Sequence, residues 1–229
     1  MKIDANGVYY KDLNRKIREA VASGAEKIEL VNVNGQYFIG DGINRPVTIT
    51  INGVPGNDLG AFLNGATIVV KDNGQDNIGN TMNAGKVIVH GHAGDVLGYG
   101  MRGGKVHILK DVGYRVGIHM KSYNENKPVL IAGGNAGDFF GEYMAGGVLV
   151  LLGMFTDNPH LPKHGFRFGT GMHGGVIYVR GEVDELKLSR EVGVFELTVE
   201  DQEELKGYLK DYCADFKLDF KEVMKEKFV

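Results

Sequence analysis

Six glycines frame this chain: Gly60, Gly79, Gly98, Gly117, Gly141 and Gly169, spaced 19, 19, 19, 24 and 28 residues apart. Each is preceded by an apolar residue (Leu59, Ile78, Leu97, Val116, Phe140, Phe168). Three positions after it stands Leu63, Met82, Met101, Met120, Met144 or Met172. Each copy then enters a short β-rich segment such as KVIV, KVHI or VLVL. A period near twenty residues with one short strand per repeat cannot bury an apolar face alone, so the copies must stack as a solenoid. Stacked strands lie about 4.8 Å apart, so six coils make a parallel β-helix roughly 29 Å long, with equivalent residues in ladders.

Two of the copies also read GxGxxG, at Gly98, Gly100, Gly103 and at Gly169, Gly171, Gly174. A dinucleotide-binding loop of that pattern must open a helix whose N-terminus faces the phosphate. Here the pattern opens a strand each time, so that reading fails on context. The 35 glycines among 229 residues, about twice ordinary usage, are assigned instead to the corners, where glycine accepts positive φ and lets backbones approach. A second glycine lies four positions before the key one in five copies (Gly56, Gly94, Gly113, Gly137, Gly165), with Gln75 the exception. Methionine at the inner column suits irregular gaps.

A β-helix leaves strand edges at both ends, and the sequence offers a cover for each. Asp12 is placed as the N-cap of a helix with Leu13, Ile17 and Val21 on one face and Gly24 as its stop. Thr198 and Asp201 form a capping-box pair ahead of the stripe Leu205, Tyr208, Leu209, Tyr212 and Phe216. The expected organisation is therefore an N-terminal α/β cap over residues 1–55, the β-helix over 56–181, and a C-terminal strand and helix cap over 182–229. Two polar insertions, KSYNENK and FTDNPHLPKHG, read as surface loops, either partner-facing or merely tolerated.

A net charge of −3 with interspersed signs gives no basic stripe, which argues against nucleic acid. The single cysteine, Cys213, allows no internal disulfide and reads as packing. The start MKIDANGVYY lacks a leader pattern and no long apolar run occurs, so a cytoplasmic location away from membranes is expected.

The candidate chemistry lies three positions before the key glycines, in the row Asn57, Asp76, Asp95, Tyr114, Asp138, Phe166. Asp76 and Asp95 fall on adjacent coils, where two carboxylates about 5 Å apart can hold a cation or share a proton. Alternatively, each bonds the backbone at its corner, as turn aspartates do. The histidines (His90, His92, His107, His119, His160, His164, His173) form no column and are read as surface groups. The phase of Asn64, Asn83, Arg102, Lys121 and His173 forms a polar stripe, partner-facing or simply solvated.

Taken in order, GNDLGAFLNG, GYGMRGGKVHI, GDFFGEYMAGGVLVLLG and GFRFGTGMHGGVIYV resemble the coils of the GXGXG domain at the C-terminal end of the glutamate synthase large subunit. The β-helical subunit of formylmethanofuran dehydrogenase is similar more distantly. The chain departs from the family's pattern at Gln75, Asn80 and Ala84. The resemblance implies an all-β, right-handed, single-stranded parallel β-helix of about six coils with no catalytic residue and no cofactor of its own. It further implies a stand-alone scaffold subunit working with a glutamine amidotransferase subunit and a synthase subunit that carries FMN and an iron–sulfur cluster. Self-association is compatible with it. Two other roles stand beside that expectation: an independent β-helical enzyme or cation-dependent binding protein using Asp76 and Asp95, and a scaffold in a formylmethanofuran-dehydrogenase-like complex.

Overall fold

In the computed structural model, which describes residues 1–229, the apolar–polar alternation of segments such as TITI becomes nine strands of one sheet. The strands are β1 (Lys2–Asp4), β2 (Lys27–Asn34), β3 (Thr48–Val54), β4 (Asn64–Val70), β5 (Ala84–Val89), β6 (Lys105–Ile108), β7 (Val129–Ala132), β8 (Ala145–Leu151) and β9 (Gly174–Val179). All pair parallel, each with its neighbour in the chain, as required when every coil contributes one strand. The result is a solenoid of about six turns. Its interior holds two unbroken columns. Leu59, Ile78, Leu97, Val116 and Phe140 are fully buried before the key glycines, as are Leu63, Met82, Met101, Met120 and Met144 after them. Met172, in the last coil, is only partly buried.

Between strands the backbone of each coil repeats one hydrogen-bond scheme. The key glycine donates back to the preceding coil (Gly117 N to Leu97 O, 2.7 Å), while the residues two before and two after it donate forward (Val96 N to Tyr114 O, 2.8 Å; Tyr143 N to Thr170 O, 2.8 Å). Both flanking positions take positive φ whatever residue stands there, Val96 at 61° and Tyr143 at 50° included. The key glycine shares this conformation, Gly117 at 76°, and a Cβ there would press on Leu149 of β8. A left-handed conformation is strained for a β-branched side chain. It persists here because bonds to the neighbouring coils over-determine the backbone.

The scheme also occurs at Gly40 (φ 77°), with Ile39 and Ile43 buried beside it and Phe38 at φ 59°. The solenoid therefore includes β2 and β3, and residues 27–55 are coil rather than a separate cap. The signal was obscured because the spacing from Gly40 to Gly60 is 20 rather than 19 and Gln36, not glycine, stands four positions before Gly40. What closes this end is α1 (Tyr10–Ala22), whose buried Leu13, Ile17 and Ala20 join the interior cluster. The helix begins three residues earlier than Asp12 would place it. Tyr9 is the N-cap with no side-chain bond, and Asp12 sits in the first turn, pairing with Arg15 (3.4 Å).

The C-terminal helix is built as the capping box predicts but does not cap the rod. In α2 (Val199–Phe216) the Thr198 hydroxyl accepts from Asp201 N (3.1 Å), and the Asp201 carboxylate accepts from Thr198 N (3.0 Å). Its buried stripe of Leu205, Leu209, Tyr212 and Cys213 packs on the outer face of the sheet, against Val129 and Ile131 of β7 and Val148 and Val150 of β8. The helix thus runs across the coils, from Tyr178 of β9 (hydroxyl to Asp201, 3.0 Å) to Lys86 of β5 (to Asp215, 3.0 Å). The location has a physical reason: β7 and β8 are apolar on both faces, and only a second apolar layer can cover the outer one. The short α3 (Phe220–Val223) and Phe228 complete that layer, while Val229 packs against the interior.

Candidate functional site

Three residues before each key glycine, the side-chain row belongs to the backbone scheme. Asp76 Oδ1 accepts from the amide of Asp95 (2.9 Å), Asp95 Oδ1 from that of Tyr114 (2.8 Å), and Asp138 Oδ1 from that of Phe166 (2.8 Å). Asn57 serves Asp76 in the same way at 3.4 Å. Each carboxylate therefore reaches the next coil rather than its own corner. That reach explains three of the five glycines four positions before the key one; at Gly56 and Gly137 a Cβ would instead meet the backbone of Gly35 and Gly113. Gly94, Gly113 and Gly165 have ordinary φ, but a Cβ on each would overlap the carboxylate oxygen of Asp76, Asp95 or Asp138. Glycine is needed there for space, not for positive φ. A second row, which the period did not bring out, works alike: Asn73 accepts from His92 N (2.8 Å) and Asp111 from Asn135 N (2.7 Å). No group of three or more His, Cys, Asp or Glu side chains converges on a point that could hold a metal.

The histidines divide in a way the sequence did not reveal. His107 is fully buried and His164 nearly so, which corrects their reading as surface groups. His164 lies beside the Phe168 ring, its Nδ1 2.9 Å from Gly165 O. His107 projects from the outer face of β6, and α2 covers it. Its Nδ1 is 2.6 Å from Asp215, so that nitrogen carries the proton, while Nε2 has no partner. Lys86 bridges Asp211 (2.6 Å) and Asp215 (3.0 Å), and Lys105 reaches Asp211 (2.6 Å). Burial opposes ionisation of Asp211, but hydrogen bonds from Lys105 and Lys86 outweigh it and hold its pKa at about 2. Asp215 is lowered likewise, by His107 and Lys86 against burial. Burial pushes His107 below the ordinary histidine value despite Asp215, so the ring is neutral at neutral pH. Two cations and two carboxylates balance, and the cluster fixes where α2 lies along the sheet. Cys213, buried in the same layer, has its thiol pKa raised by burial, opposite to a nucleophile's need.

Elsewhere the surface is mixed. Arg102, Lys121 and His173 are exposed, as is Asn64, whereas Asn83 is half-buried and donates to Thr81 O (3.2 Å). Both insertions fold back on the rod: Lys127 pairs with Glu204 of α2 (2.9 Å), and Asp157 takes Lys110 (2.7 Å) and His92 (2.8 Å).

Stacked corners, asparagine and aspartate ladders and methionine columns together define a glycine-cornered parallel β-solenoid whose repeated polar rows are spent on holding coils together. Residues 13–229 match the family model described as GXGXG motif, and the chain belongs to that family. It is also 52% identical over 211 residues to an uncharacterized protein of Methanocaldococcus jannaschii, covering 90% of this chain and 81% of that protein. No helix is long and apolar enough to cross a membrane.

Proposed function

We propose that the chain is a non-catalytic scaffold of a glutamate-synthase-type complex, in which an amidotransferase frees ammonia from glutamine and a synthase carrying FMN and an iron–sulfur cluster consumes it. The observation that carries this reading is the family match over 13–229, joined to the resemblance of the coils in order to the glutamate synthase domain. The aspartate ladder supports it. Asp76 and Asp95, the best candidates for chemistry on the rod itself, each commit an oxygen to a backbone amide of the next coil. In this reading the cofactors sit on the partners, the rod orients them, and the complex works in the cytoplasm.

Affinity capture of the tagged chain from its own cells, with mass spectrometry and an absorption spectrum of the eluate, tests it. A yellow-brown eluate holding an amidotransferase and a flavin, iron–sulfur polypeptide is the expected result. A chain that elutes alone and colourless under gentle conditions would overturn it.

A further inference from the structure

The two ends of the solenoid are covered unequally. At the first, α1 lies on the interior; at the last, the cover is irregular chain, with Val183, Leu188 and Val229 packed on it and Leu188 bridged to Phe168, and β9 is the final strand of the sheet. Along a strand, successive residues direct their N–H and C=O to opposite sides. Arg180 donates to Leu151 of the preceding coil, and Val179 points the other way, exchanging both bonds with Val229 (2.9 and 3.0 Å). Ile177 shares Val179's orientation, and no strand lies beside it. A directional donor and acceptor therefore stand open in the middle of β9.

Beside this edge runs a groove of about 670 Å³, lined mainly by apolar residues. Its rim leaves large apolar surface in water: Phe195 is 77% exposed, and Val176 and Val194 are 40% exposed each. Its charged lining is one-signed, with Glu191, Glu196 and Asp201 and no lysine or arginine. An open strand edge beside an apolar groove is the geometry that accepts an added strand, the backbone providing affinity and alternate side chains specificity. A second copy docked edge to edge would bring two acidic rims together, which like charges oppose.

We propose that the edge of β9 at Ile177 is a docking site for one extended segment of a partner polypeptide, apolar on one face and bearing lysine or arginine. The segment lies antiparallel to β9 and in line with residues 227–229. The site deepens the scaffold reading by naming the surface that meets a partner, and the partner's identity rests on that reading.

Amide hydrogen exchange on the full chain tests it, alone and with a saturating acetylated, amidated nonapeptide of alternating valine and lysine, and with its valine–glutamate counterpart. The lysine peptide is expected to slow exchange at Ile177 about tenfold, as ninety per cent occupancy requires. The glutamate peptide is expected to leave it unchanged. The surface double variant Glu191→Lys, Glu196→Lys is expected to reverse that preference. Absence of protection by either peptide, or protection indifferent to charge, would overturn the proposal. So would slow exchange at Ile177 in the chain alone accompanied by dimeric mass, which would assign the edge to a second copy. The scaffold reading is judged separately. An eluate with both partners but no peptide protection sinks the docking site alone, whereas protection together with a chain that elutes alone sinks the scaffold alone.

Discussion

At the residue scale, a carboxylate that looks like chemistry in the sequence is occupied in building the rod. Asp95 Oδ1 lies 2.8 Å from the amide of Tyr114, and nothing in that bond needs a charge. Asn57 fills the same role one coil before Asp76, so the amide oxygen suffices. Asp95→Asn is therefore expected to change stability by less than about 0.5 kcal/mol, while Asp95→Ala costs about 1–2 kcal/mol by leaving a corner amide without its acceptor. Urea unfolding of the three proteins checks this, and an asparagine variant as damaged as the alanine variant would show that the charge itself matters. The row was legible because its period is regular. Its acceptor was not, since one coil forward and the residue's own corner differ only in three dimensions.

At the element scale, α2 is held by packing and by a charge cluster, and the cluster makes its docking sensitive to pH. His107 is neutral in the fold because burial lowers its pKa, while in the unfolded chain it titrates near 6.5. The unfolded state therefore binds the extra proton. The His107 contribution is complete above about pH 6.5 and is lost as pH falls below that value, by at most about 1.4 kcal/mol per pH unit. His90 and His164 are shifted the same way by burial, so His107→Gln should reduce the slope of stability against pH without abolishing it. Thermal unfolding of both proteins between about pH 7.5 and about pH 5 measures it; identical slopes would mean that burial does not shift His107 in the fold, and a steeper slope in the variant would mean that Asp215 holds the ring charged. Asp211, held at about 2 by Lys105 and Lys86 against burial, loses its contribution only at much lower pH, between the ordinary aspartate value and about 2.

At the scale of the whole molecule, a helix laid across coils changes how a solenoid unfolds. Coils that touch only their neighbours open from the ends. Here α2 spans β5 to β9 and ties those coils together, whereas β3 and β4 lie outside its reach. Leu209→Ala, at a fully buried position under the helix, should cost about 2–4 kcal/mol and speed amide exchange in β7 and β8 while leaving β3 and β4 unchanged. Uniform acceleration over all strands would show one cooperative unit instead. The sequence by itself determined the solenoid, its glycine corners, its leucine and methionine columns and the capping box of α2, because each is set by a local spacing that recurs in every coil or lies within one helical turn. The tertiary structure alone decided that Gly40 opens a further coil, that α2 lies on the flank, that His107 is buried beneath it, and that Ile177 faces an open edge. Those features depend on which surfaces meet, and residues as distant as Lys86 and Asp215 share no period in the chain through which their contact could be read.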